Sequence, residues 1–133
     1  MEPRTTSGED VIGRLLDGIE AGSLPAGVFS EDAVLDATVP NWRFTVEGGE
    51  AVEEQLGGWY ADPGQFLSIR RLPLPDGEMV EFTLSWVEAG VAHACHQGHL
   101  LTVKAGRIVS DTAWCGGRWP ASLLEEMGPQ ALV

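Results

Sequence analysis

The chain has 133 residues, 44% of them apolar, enough for one domain around one core, and no apolar run approaches the ~18–20 residues of a membrane-spanning helix. Twenty acidic against eight basic side chains leave a formal net charge of −12. Such a surface repels phosphate backbones and anionic lipid, which excludes nucleic acid and membrane as expected partners. The first ten residues are polar and lack the apolar stretch of a secretory leader, so a cytoplasmic location is expected, with Cys95 and Cys115 as thiols rather than a disulfide framework.

Residues 1–6 read as a disordered N-terminal tail and 7–128 as a single domain. Ser7, with Asp10 three residues on, caps a first helix. Val11, Ile12, Leu15, Leu16 and Ile19 mark its apolar face, and Gly22 ends it. Residues 33–39 form the first strand, closed by Pro40, and 43–46 a brief second one. Gly48-Gly49 turns into a middle helix over 50–59, with Val52, Leu56 and Trp59 on one side, and Asp62-Pro63-Gly64 breaks it. Strands follow at 65–72, 78–88, 91–104 and 107–116, and Pro120 opens a short final helix. In 78–88 the even positions Val80, Phe82, Leu84 and Trp86 are the apolar face.

The last two strands meet at Ala105-Gly106, where glycine supplies the positive φ that a two-residue hairpin turn needs. Three further stretches accompany that hairpin: Phe29-Ser30-Glu31-Asp32-Ala33-Val34-Leu35-Asp36, Gly48-Gly49-Glu50-Ala51-Val52, and Phe82-Thr83-Leu84-Ser85-Trp86. Together they resemble the nuclear transport factor 2-like superfamily, on its SnoaL-like and ketosteroid isomerase-like side. The resemblance implies an α+β cone: a curved, mainly antiparallel sheet wrapped around helices, enclosing one deep pocket, with dimerisation through the outer sheet face. The isomerase machinery does not carry over. The family's hydrogen-bonding Asp falls at Gly98, its proton-shuttling Asp at Ala37, and the only tyrosine, Tyr60, ends the middle helix instead of lying on the first. Steroid isomerase activity is therefore not expected.

The family register and an unbroken two-residue turn agree on pairing. Both place His96 opposite Cys115, Gly98 opposite Ala113 and Leu100 opposite Asp111, with these residues facing the pocket. A tight turn at Ala89-Gly90 implies the opposite parity, which a bulge near Gly98 or a longer loop at 88–91 would reconcile. On this register His96 and Asp111 form an imidazole–carboxylate pair suited to general acid/base work, and Asp36 on the first strand is the second carboxylate. Trp42, Leu56, Leu84, Trp86, Leu100, Ala113 and Cys115 are the expected ligand-binding residues, since broad aromatic walls suit a flat apolar ligand. His93 and His99 are expected on the outer face. Three histidines spaced by three alternate faces on a strand, so no metal site is expected, and no organic cofactor.

The expected partners are a small apolar molecule and a second copy of the chain. The first functional expectation is a cofactor-independent isomerase, cyclase or dehydratase using His/Asp chemistry beside a carbonyl. The alternatives are a non-catalytic hydrophobic-ligand-binding protein and a dimeric assembly module of the same fold.

Overall fold

The computed structural model describes residues 10–133; the expected tail at 1–6 and the Ser7 cap lie outside them. Helix α1 (Val11–Ala21) starts at Asp10, whose carboxylate accepts from the Gly13 N–H at 3.0 Å, and ends at Gly22 in the left-handed conformation, φ 72°. Its face of Val11, Ile12, Leu15, Leu16 and Ile19 is buried as the periodicity predicts.

Strand β1 (Phe29–Val39) begins four residues earlier than expected and pairs antiparallel with β2 (Trp42–Glu47). Helix α2 (Gly49–Trp59) is fastened to β1 at its first residue: a Cβ on Gly49 would lie 2.3 Å from the Ser30 carbonyl oxygen, so only glycine permits the approach. Strands β3 (Gly64–Leu74), β4 (Gly77–Glu88), β5 (Val91–Lys104) and β6 (Arg107–Cys115) follow. A two-residue strand β7 (Trp119–Pro120), helix α3 (Ala121–Met127) and a 3₁₀ turn (Pro129–Leu132) complete the described chain. Pro73, just past the strand expected at 65–72, lies inside β3. That strand is an edge of the sheet, where the missing N–H removes no ladder bond the sheet requires.

The sheet runs β2-β1-β6-β5-β4-β3, with β7 paired to the overhanging start of β5. Every pairing is antiparallel except β1 with β6. Buried residues of α1 and α2 join Leu35, Ala37, Phe82, Leu84, Leu101 and Ala113 in one core on the inward face. Full burial of each large aliphatic or aromatic side chain there contributes about 1.5–3 kcal/mol.

Two turns decide which side chains look inward. Ala89 and Gly90 (φ 51° and 78°) make a tight hairpin, and the β4–β5 ladder then runs unbroken from Glu88↔Val91 to Gly77↔Thr102. The even residues of β4 therefore share a face with the odd residues of β5. Ala105 and Gly106 (φ 54° and 77°) make a second such turn, pairing Lys104 with Arg107 and Val103 with Ile108. The register then slips, and Thr102 pairs with Ser110, leaving Val109 as the extra residue of a bulge. Beyond it Leu101 faces Asp111, His99 faces Ala113 and Gln97 faces Cys115.

The expected parity of β5 is thus reversed. Cys95, Gln97, His99 and Leu101 are buried on the inward face, while His96, Gly98 and Leu100 belong to the outer one. The bulge that reconciles the two turns is in β6 at Val109, not near Gly98.

Candidate active site

A cavity of about 310 Å³ opens between the end of α2, the β1–β2 turn and the inward face of the sheet. Trp59, Leu84 and Trp86 wall it, and Tyr60, Gln97 and Cys115 supply its polar groups. Tyr60 caps α2, its N–H bonded to the Leu56 carbonyl at 2.9 Å. Turning off the helix there sends the phenol into the core, where only 3% of the residue is exposed.

Behind Tyr60 lies a continuous buried hydrogen-bond chain. Asp111, 1% exposed, accepts from His99 Nδ1–H at 2.9 and 3.0 Å to its two oxygens. His99 Nε2 is 3.2 Å from Tyr60 Oη and 3.0 Å from Gln97 Oε1. Tyr60 O–H donates to Gln97 Oε1, and Gln97 Nε2–H donates to Cys115 Sγ at 3.3 Å. Phe82 stacks on the His99 ring at 5.6 Å, 15° from parallel, and fixes its plane.

Two proton arrangements satisfy this cluster. With the ring doubly protonated, Nδ1–H serves Asp111 and Nε2–H serves Gln97 Oε1. With it singly protonated, Nε2 accepts from Tyr60 instead. The two arrangements differ by one proton on Nε2, and either forms without any side chain leaving its place.

Burial pushes the Tyr60 phenol well above its ordinary value, reinforced by Cys95, Asp111 and Cys115 nearby. The phenol is thus a hydrogen-bond donor at neutral pH. The two thiols are neighbours and split apart. A hydrogen bond from Cys95 brings Cys115 down to about 6 against the opposing effect of burial, with further support from Gly117, Gln97 and His99. Cys95, the donor of that bond, is pushed far up, by the same contact and then by burial. At the mouth, Arg118 lies 5.2 Å over the Trp86 ring and ion-pairs with Glu88.

The candidates read from the sequence separate into three groups. Asp111, Leu84, Trp86 and Cys115 belong to the cavity or to the chain behind it, while Leu56 and Ala113 are buried in the core beside it. His96, Leu100, Trp42 and Asp36 lie elsewhere. His96 points outward, with Nδ1 2.8 Å from Thr83 Oγ1 and Nε2 2.9 Å from Glu81 Oε2. Leu100 shares that outer face and is 37% exposed. Trp42 is 65% exposed at the start of β2. Asp36 accepts two bonds from Arg43, at 3.0 and 2.7 Å, on the opposite face from Leu35 and Ala37. His93 stacks on Trp86 at 5.6 Å.

The imidazole beside Asp111 is therefore His99, because the bulge at Val109 reverses the face of β5. Sequence reasoning missed His99, Gln97 and Tyr60 as site residues. The parity implied by Ala89-Gly90 was the signal that pointed to the first two. Among the described residues no group of three His, Cys, Asp or Glu side chains is placed to hold a metal ion.

No family model and no curated protein matches the chain. Solved structures match it in shape. An NTF2-like protein from Anabaena variabilis aligns with a TM-score of 0.69 at 15% identity, over 88% of this chain and 96% of that one. A "putative isomerase" from Bacillus subtilis aligns at 0.63 and 15% identity, over 93% and 94%. A "putative polyketide cyclase" from Pseudomonas putida aligns at 0.62 and 17% identity, over 82% and 91%. At such identities the likeness speaks for architecture. The chain has the nuclear transport factor 2-like fold, an α+β cone around a single core.

Proposed function

We propose that the chain is a cofactor-independent acid–base enzyme of the isomerase, cyclase or dehydratase kind, acting on a small, largely apolar carbonyl compound. The observation that carries this reading is the buried chain Asp111–His99–Tyr60, which ends in a phenol at the cavity wall. A ligand carbonyl would take the place of Gln97 Oε1 as acceptor of the Tyr60 proton. As negative charge gathers on that oxygen, the phenol stabilises it and can pass its proton over, recovering one from His99. Asp111 accepts from Nδ1–H and so holds the ring in place with Nε2 toward Tyr60. The tryptophan walls supply apolar contact and exclude water, which strengthens every polar interaction inside. The cyclase and isomerase names of two structural neighbours accord with chemistry beside a carbonyl. A cytoplasmic location is part of the same proposal.

The same reading includes a homodimer. Leu72, Leu100 and Trp114 stand 44%, 37% and 45% exposed on the outer face, an apolar patch that a second copy would cover. Light scattering at micromolar concentration reads it, and a clean monomer removes it.

The test of activity is a panel of small aromatic and alicyclic ketones followed by tryptophan fluorescence and by isomer or dehydration product. Tyr60→Phe is expected to weaken ketone binding and to lower turnover by about 10²–10³-fold. If ketones bind and no variant or wild type turns them over, the protein is a ligand carrier instead. If Tyr60→Phe binds ketones as well as wild type does, the carbonyl reading fails.

A further inference from the structure

Cys115 is a nucleophilic side chain that the acid–base reading leaves unused. It ends β6 half-buried, lines the cavity, and also borders the groove on the outer face, where the sheet gives way to Gly116 and Gly117. Its sulfur is set up to attack. Gln97 Nε2–H donates to it at 3.3 Å, its own S–H reaches the Gly117 carbonyl oxygen at 3.8 Å, and the buried Cys95 thiol, on the same strand as Gln97, lines the cavity with it. Donors aimed at a sulfur favour its thiolate, the nucleophilic form.

The spacing between this sulfur and the phenol is informative. The single amide of Gln97 reaches Tyr60 with its oxygen and Cys115 with its nitrogen. A planar O=C–C=C unit lying in the cavity alongside that amide presents its oxygen to Tyr60 and its terminal carbon to Cys115. An unconjugated ketone offers the sulfur no electrophilic carbon at that distance from the oxygen.

We propose that Cys115 is a catalytic residue of this cavity and that its substrates are α,β-unsaturated carbonyl compounds; the proposal rests on the reading of Tyr60 as the carbonyl donor. The Cys115 sulfur forms a bond to the β-carbon, and the C=C π pair shifts to make the enolate, whose oxygen takes the hydrogen bond of Tyr60. Protonation at the α-carbon completes the addition of S–H across the double bond. No electrons are gained or lost overall, and the reverse sequence releases the enone. Free rotation about the former double bond while the sulfur is attached makes the cycle a route to cis–trans isomerisation.

The experiment uses 2-cyclohexen-1-one as the addition probe, iodoacetamide as a thiol reagent indifferent to carbonyl activation, and cyclohexanone as a carbonyl ligand that cannot accept the sulfur. Intact-mass measurement is expected to show one cyclohexenone per chain, mapped by fragmentation to Cys115 and absent from both Cys115→Ser and Cys115→Ala. Circular dichroism checks that each variant is folded. In Tyr60→Phe, addition of cyclohexenone should slow at least tenfold, while the iodoacetamide rate should change less than twofold.

An adduct on Cys95, no adduct on the wild type, or equal slowing of the two reagents overturns the proposal. Cyclohexanone separates the two readings. If Tyr60→Phe weakens its binding and no enone adduct forms, the carbonyl site stands and Cys115 is removed from it. If its binding ignores Tyr60→Phe, the Tyr60 reading and the Cys115 proposal fall together.

Discussion

Strand β5 carries two imidazole–carboxylate contacts of the same length on opposite faces. His99 meets Asp111 at 2.9 Å on the inward face, and His96 meets Glu81 at 2.9 Å on the outer one. The side chains of the first pair are 3% and 0% exposed; those of the second are 37% and 38% exposed. Distance alone therefore says nothing about worth. The outer pair is solvated and screened, and Glu81 also bonds Arg70. The inner pair has lost its water, so Asp111 relies on His99 for its hydrogen bonds, and His99 relies on Asp111, Tyr60 and Gln97.

The sharpest way to break this comparison is to remove one carboxylate at a time. Asp111→Ala strands a buried imidazole and should cost about 3–5 kcal/mol of stability, read by urea unfolding. Asp111→Asn keeps the shape and should cost less. Glu81→Ala on the other face should cost below ~1 kcal/mol, and less still at high salt. Equal losses from the two alanine variants would mean that burial does not govern these pairs.

Tyr60→Phe sharpens the comparison from the cavity side. It deletes one hydroxyl from the inner network and leaves the outer pair untouched. Turnover of a ketone substrate should fall about 10²–10³-fold, the usual loss for one donor to a developing oxyanion. His96→Ala should change turnover less than about twofold, because the ring faces the wrong way. A large effect from His96 would restore that residue to the site.

Acidity separates the two faces at smaller cost. Cys115, brought down to about 6 by the Cys95 hydrogen bond, should alkylate with iodoacetamide at a rate that is flat above neutrality and falls as pH drops through 6. An ordinary thiol would still be gaining rate up to pH 9. Cys95→Ala removes the donor and should move the midpoint upward. On the outer face, the Glu81 carboxyl is held below its usual value, first by the His96 hydrogen bond. Its small contribution is present above the ordinary carboxylate range and lost as pH falls through the lowered value. Carboxyl titration by NMR, compared with His96→Ala, reads that difference directly.

The elements themselves were legible because their signals are local. The apolar spacing of α1, the Ala-Gly pairs at the hairpin turns and the even-position face of β4 each needed only a few neighbouring residues. The faces of β5 were not, since two hairpin turns of equal quality impose opposite parities on it. The arbiter is a bulge at Val109, and Ile108-Val109-Ser110 reads as ordinary strand. From that slip came the choice of His96 over His99, and with it the loss of Gln97. Tyr60 was hidden for another reason: it follows the last helical turn of α2, where helix periodicity no longer says which way a side chain points. Asp111, Leu84, Trp86 and Cys115 lay on strands whose inward face had been read correctly.

The parallel pairing of β1 with β6 carries a consequence for how the molecule comes into being. Leu35, Ala37 and their neighbours on β1 pair with β2 along one edge but find partners for the other edge only in Asp111, Ala113 and the rest of β6, with α2 and four strands in between. Such distant closure raises contact order and slows folding, because the intervening loop entropy is lost before the pairing rewards it. During synthesis the emerging β1–β2 hairpin therefore waits, one side of it apolar and unpaired, until β6 has left the ribosome. Asp111 and Cys115 arrive on that same late strand, so the step that brings β6 into the sheet is also the one that completes the hydrogen-bond chain behind Tyr60.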